Sequence, residues 1–212
     1  METFSTALIL GMLVSGLILV SRMRLSSMIQ LFRVESVLLT IFALLHAVKS
    51  VQGELFAVAV LIFALKVLII PWFLLKVGRT DADSQRLQAY IRPTPVTFLA
   101  LIATVAAGFA AHALVGFGSA MLVATASFSV VAFGLLLLMV RRDMYGQGIG
   151  FLTMENGIYI FGLALTGGMP FFIEIGVLFD LMILFVLFVA LLRRAHVEHA
   201  SAGTEHLQEL ID

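Results

Sequence analysis

Long apolar runs, broken at short polar intervals, fill most of the chain. Seven of them reach or approach the roughly 20 residues that an α-helix needs to cross bilayer hydrocarbon. They are Phe4–Ser21, Met28–Val48, Leu55–Val77, Val96–Val115, Ser119–Val140, Ile149–Thr166 and Phe171–Leu192. One connection is long: the polar stretch Gly78–Pro95, with Pro93 and Pro95 at its end. A polar tail follows Leu192 and runs to Asp212. The pattern predicts an all-α membrane protein with about seven transmembrane helices. No basic region precedes the first run and no clean cleavage site follows it, so Met1–Val20 reads as a retained helix and not a signal peptide.

The basic residues orient the seven runs. Arg22 and Arg24 follow the first run, and Arg33 lies near the start of the second, from where it can snorkel back to the same surface. Lys76, Arg79, Arg86 and Arg92 follow the third, Arg141 and Arg142 the fifth, and Arg193 and Arg194 the seventh. With seven crossings, eleven of the 13 lysines and arginines fall on one side; Lys49 falls on the other and Lys66 lies within the third run. Basic loops face the cytoplasm, which places the N-terminus outside and the C-terminus inside. Trp72, Tyr90 and Tyr145 then sit near the cytoplasmic interface, where aromatic belts form.

A shift of 120 residues aligns Arg22 with Arg142, Ile29 with Ile149, Glu35 with Glu155, and Glu54 with Glu174. Acids inside a membrane are rare, so the Glu35–Glu155 match carries more weight than matching leucines would. The expected organisation is a first three-helix unit over residues 1–78 and a cytoplasmic loop with a linker helix over 79–116. A second three-helix unit covers 117–194 and a cytoplasmic polar tail 195–212. The extra helix between the units makes them parallel repeats. It carries Ala103, Ala106, Ala107, Gly108, Ala110 and Ala111, small residues that allow close helix approach, and is expected to pack between the two units.

A charge at the bilayer centre costs several kcal/mol, so each one requires an account. At about 1.5 Å per residue, Glu35 lies roughly 10 Å in from the cytoplasmic side and Lys66 roughly 17 Å in from the outside. These levels nearly coincide, so a Glu35–Lys66 pair is expected, either as a static ion pair or as part of a proton relay. Glu155 lies at the matching depth in the second unit, where Val186 stands at the position matching the lysine. Asp180 lies one or two turns further outward and Glu174 about two turns beyond that, so three carboxylates step across the membrane. With no cation from their own unit, they are expected to exchange protons or to pair with another subunit. Glu174 also reads as a solvated helix-start residue. Asn156 and Tyr159 flank Glu155 and offer hydrogen bonds.

Composition excludes other chemistry. The chain of 212 residues is 61% hydrophobic and 12% charged, against about 45–50% and about 25% for soluble domains, so lipid is its solvent. A formal net charge of zero argues against nucleic acid as a partner. Without cysteine there is no thiolate nucleophile and no cysteine-ligated zinc or iron–sulfur cluster; any redox centre belongs to another subunit. His46 and His112 read as interfacial polar residues, and His196, His199 and His206 as solvated tail residues, so no metal site is expected. There is no phosphate-binding glycine loop and no catalytic triad, so no cofactor and no catalytic residue is expected in this chain.

Two blocks carry a resemblance: Phe151-Leu-Thr-Met-Glu-Asn-Gly-Ile-Tyr159, and Phe172-Ile-Glu-Ile-Gly-Val-Leu-Phe-Asp180. With Ala64-Leu-Lys-Val-Leu-Ile-Ile-Pro71 and the length, they resemble the membrane subunit called hydrogenase-4 component E over essentially the whole chain. The C-terminal unit also resembles the K subunit of respiratory complex I and its relative in Mrp-type antiporters, whose second- and third-helix glutamates match Glu155 and Glu174 by position. The loop between these two is shorter here, and Lys66 beside Glu35 departs from the K subunit's pattern. The resemblance implies an accessory membrane subunit of a group 4 nickel–iron hydrogenase or formate hydrogenlyase-type complex, not an enzyme by itself. Antiporter-like and H-like membrane subunits are the implied partners, with the nickel–iron site and clusters on a peripheral arm. Glu35, Lys66, Glu155, Asp180 and Glu174 are then the candidate proton path. A stand-alone secondary transporter of a cation or small solute is the rival reading, and it commonly needs interrupted helices; the sequence shows no mid-helix Gly/Pro break shared by both units.

Overall fold

The computed structural model describes residues 2–50, 53–79 and 89–165, together with Gly176, Asp180, Met182 and Val186 of the last apolar run. Glu174, most of the Phe171–Leu192 run, Arg86, Arg193, Arg194 and the tail histidines lie outside the described residues. The elements in chain order are α1 (Glu2–Ser21), α2 (Leu25–Ser50), α3 (Gly53–Ile62), a π-helical segment (Phe63–Ile69), α4 (Ile70–Arg79), α5 (Pro93–Val115), α6 (Ser119–Val140) and α7 (Met144–Leu165). The residues on both sides of the π segment are right-handed helical, so α3, the π segment and α4 run on as one rod. No β-strand occurs among the described residues; Ala89 and Arg141 form an isolated bridge.

The protein is an all-α membrane protein. Among the described residues, five stretches are long and apolar enough to cross a bilayer: Thr3–Ser21, Leu25–Val48, Leu55–Lys76, Pro93–Val115 and Ala120–Val140. Helices suit this setting because every backbone group is satisfied within the segment, where lipid offers no partner. Large apolar side chains accordingly remain on the outside, Phe98, Ile102, Val105 and Phe109 of α5 among them.

Helix packing is tightest between α6 and α7, which small residues make possible. A Cβ added to Gly157 would lie 2.7 Å from the Val131 nitrogen and 2.8 Å from the Ser127 carbonyl oxygen. The two helices also share a hydrogen bond from Ser127 Oγ to Gly157 O, 2.7 Å. At the other end of α6 the chain reverses through Gly116, at φ 69°, and Gly118, at φ 150°, conformations that side chains with a Cβ rarely adopt. Asp143 accepts from Gly146 N at 2.5 Å and so satisfies a free amide at the start of α7.

Helix α5 turns out to sit across a seam. It packs on α6 and on α1, the first helices of the two expected units, through Val96, Ala100, Ala107 and Ala111. Its opposite face is exposed, and only 17% of its span is buried. Of the small residues expected to allow close approach, Ala107 and Ala111 are buried while Ala106 and Ala110 are exposed; α1 and α6 also touch each other directly, so α5 lies over their junction and not between them.

Two apolar layers fill the interior. One contains Met28, Phe32, Ile70, Leu137, Ile149 and Leu152; the other contains Met12, Leu39, Phe42, Ile62, Val130 and Ile160. Along α2 the boundary between layers falls at Glu35 and Ser36, along the α3–α4 rod at Lys66, and along α7 at Glu155 and Asn156. The charged residues thus occupy one level, closed above and below by hydrocarbon.

Candidate functional site

Lys66 is at the centre of this level and has no exposed surface. Its Nζ lies 3.0 Å from Glu155 Oε2 and 3.7 Å from Asp180 Oδ1. It also donates to Asn156 Oδ1 at 3.1 Å and stands 4.7 Å from the centre of the Tyr159 ring. All of these partners are buried, none more than 2% exposed. A cation over a ring face is favourable, the more so when water is excluded. The third apolar run therefore supplies the cation for the carboxylates of the sixth and seventh runs.

This corrects the expected pairing. Glu35 and Lys66 do reach the same level, but Glu35 is not within ion-pair contact of the ammonium, whose ion pairs among the described residues are with Glu155 and Asp180. Glu155 and Asp180, expected to lack a cation from this chain, take it instead. The reason is register: the α3–α4 rod packs beside α2, yet the Lys66 side chain points past α2 toward α7. Asn156 lies next to Glu35 as well, but neither Glu35 oxygen accepts a well-directed hydrogen bond among the described residues. Glu35 is wholly buried all the same.

Tyr159 and Gly176 explain how Asp180 comes so close. The Tyr159 ring lies directly against Gly176, where any Cβ would overlap the phenol. Gly176 stands four residues before Asp180, and its lack of a side chain leaves room for the Tyr159 ring beside the cluster. Asn156, expected to serve Glu155, is bound to Lys66.

The π-helical segment is the feature that sequence reading missed. Proline at 71 has no N–H to give the Val67 carbonyl, and its ring crowds that carbonyl in a regular α-helix. The turn ahead of it widens, with Ile70 N bonded to Leu65 O, five residues back. Val67 O accepts instead from Arg33 Nε of α2, at 2.9 Å. Arg33 was expected to snorkel to the cytoplasmic surface, but one of its donors is committed to the backbone beside Lys66. Pro71, four residues after Val67, was the available signal.

Just after the last turn of α6, Arg141 is 2% exposed, and its guanidinium reaches Met23 Sδ at 2.8 Å and the carbonyls of Val20 and Arg22. It thereby closes the end of α1 onto the α6–α7 turn, since the last carbonyls of a helix have no partner within it. Of the aromatic belt residues, Trp72 and Tyr90 are exposed and carry Lys76 and Arg142 over their rings at 5.0 and 4.5 Å. Tyr145 is buried in the apolar layer that holds Met28, Phe32 and Ile70. His46 bonds Phe42 O, and the His112 ring lies tilted against Phe117, with centroids 4.0 Å apart. Among the described residues no group of three or more acidic, histidine or cysteine side chains is placed to hold a metal ion.

Two relatives cover most of the chain. An uncharacterized protein of Mycobacterium tuberculosis is 26% identical over 205 residues, 95% of this chain and 93% of its own length. Hydrogenase-4 component E of Escherichia coli K12 is 25% identical over 179 residues, 82% of this chain and 81% of its own length. The same component of Shigella flexneri matches to the same extent. No family model matches the chain, and no solved structure matches it.

Proposed function

We propose that this chain is a non-catalytic integral membrane subunit of a redox-driven complex of the hydrogenase-4 and complex I kind, and that its buried carboxylates and Lys66 carry protons. The observation that supports this most is the grouping of Glu155 and Asp180 around Lys66, with Glu35 at the same level, inside an apolar bundle. One ammonium faces three carboxyl groups. Carboxylates in excess of the cation are too costly in such surroundings to stay ionised, so protons occupy the site part of the time. The distant similarity to hydrogenase-4 component E supports the assignment to a complex.

In this reading seven helices cross the inner membrane, with the N-terminus outside and the C-terminus in the cytoplasm. Two parallel three-helix units are joined by α5, and the second is the counterpart of the complex I K subunit. Contact between α2 and α7, which carry the matched Glu35 and Glu155, supports the repeat. Protons pass along Glu174, Asp180, Glu155, Lys66 and Glu35, Asn156 and Tyr159 assist, and antiporter-like and H-like subunits continue the path. The chain itself needs no cofactor.

The test is Glu155→Gln in the assembled complex, which keeps shape but cannot titrate. Proton translocation into vesicles is expected to fall severalfold while redox turnover in detergent is retained, and Glu174→Gln is expected to be milder. Full coupling in assembled Glu155→Gln complex would refute a proton-carrying role. One observation favours the rival transporter reading: the π segment interrupts a membrane helix beside the charges, as substrate sites of transporters do. A cation or solute flux by this chain alone in liposomes would decide for it.

A further inference from the structure

The Arg33 tie has no part in the proton path, and its position gives it a use. Pro71 withholds a donor from Val67 O, and the widened turn that results contains Lys66. Arg33 Nε supplies the missing donor at 2.9 Å, one residue from Lys66 along the rod. A π segment is less favourable than an α-helix and persists where its surroundings hold it. Closing it into an α-helix would turn the residues on one side against the other by about 100°, one residue of helical rotation. Lys66 would then leave α7.

We propose that Arg33 is a positioning residue: through the Val67 carbonyl it fixes the π segment and so holds the Lys66 ammonium on Glu155 and Asp180. Its role lies in the placement of an N–H donor, and its charge is secondary. The proposal concerns the cluster to which the proposed function assigns proton transfer, but it makes a claim about geometry that stands or falls separately.

The experiment labels the whole chain, inserted in membranes, with dicyclohexylcarbodiimide, an apolar reagent for protonated carboxyl groups, and reads Glu155 and Asp180 by peptide mass spectrometry. Lys66→Ala sets the upper limit, because Glu155 and Asp180 then face no ammonium at all. Arg33→Leu removes the donor and is expected to raise labelling severalfold, toward that limit. Arg33→Gln carries an N–H donor at the same distance along the side chain as Nε, without charge, and is expected to label like the wild type. Arg33→Lys keeps the charge but puts a methylene where Nε stood, and is expected to label above Arg33→Gln. Should Arg33→Leu fail to insert, the comparison of Gln with Lys decides. Wild-type labelling in Arg33→Leu, or more labelling in Arg33→Gln than in Arg33→Lys, would overturn the proposal. Proton translocation is not read in this experiment, so a failure of the proposed function leaves its result standing.

Discussion

Removing the Lys66 ammonium tests whether the buried cluster is held together as the distances indicate. At an effective dielectric of about 20, a pair at 3.0 Å has a gross attraction of about 5.5 kcal/mol and one at 3.7 Å about 4.5 kcal/mol. Desolvation of all three groups offsets much of this, so the pair is weak support for stability as such. Removing one partner is a different matter, because the other is left buried without compensation, at a cost of about 3–5 kcal/mol. Lys66→Met keeps an unbranched apolar stem, one atom shorter, so its effect reports the loss of the ammonium with its ion pairs and its hydrogen bond to Asn156. Thermal unfolding of the purified protein in detergent, followed by tryptophan fluorescence of Trp72, measures the loss. Glu155→Gln in the Lys66→Met background is expected to restore part of it, and a coupling within the 0.5–3 kcal/mol range of contacting pairs is expected. Glu35→Gln in the same background is expected to couple more weakly, since Glu35 is outside ion-pair contact. Additive effects for Lys66 and Glu155 together with strong coupling for Lys66 and Glu35 would refute the arrangement, and the lysine would then belong to α2.

Two further outcomes test the fold. Gly157→Ala puts a Cβ 2.7 Å from the Val131 backbone, and overpacking of this kind costs about 1–3 kcal/mol; a lower unfolding temperature with unchanged helix content by circular dichroism is expected, and an unchanged one would mean that α6 and α7 are further apart. Reporter fusions after Gly116 and after Asp212 are expected to locate outside and in the cytoplasm respectively, and a shared side would end the seven-helix reading.

The sequence by itself determined the membrane class and, among the described residues, where most of the helices lie. Leu25, Pro93 and Ser119 open α2, α5 and α6 within a few residues of where the apolar runs begin, because hydrocarbon forces each run to satisfy its own backbone. It also determined that Glu35, Lys66, Glu155 and Asp180 would be buried, since apolar neighbours along the chain leave them little else. Depth alone brought Lys66 to the right level. Depth says nothing about direction, however: at one level, Glu35, Glu155 and Asp180 compete for a single ammonium, and rotation of the rod about its axis chooses among them. That rotation depends on the π segment, and hence on a proline that withholds one hydrogen bond and an arginine on another helix that replaces it. Only the tertiary structure brings Arg33 to Val67 and Tyr159 to Gly176, because these contacts link residues far apart in sequence through helix packing, which leaves no periodic trace along the chain.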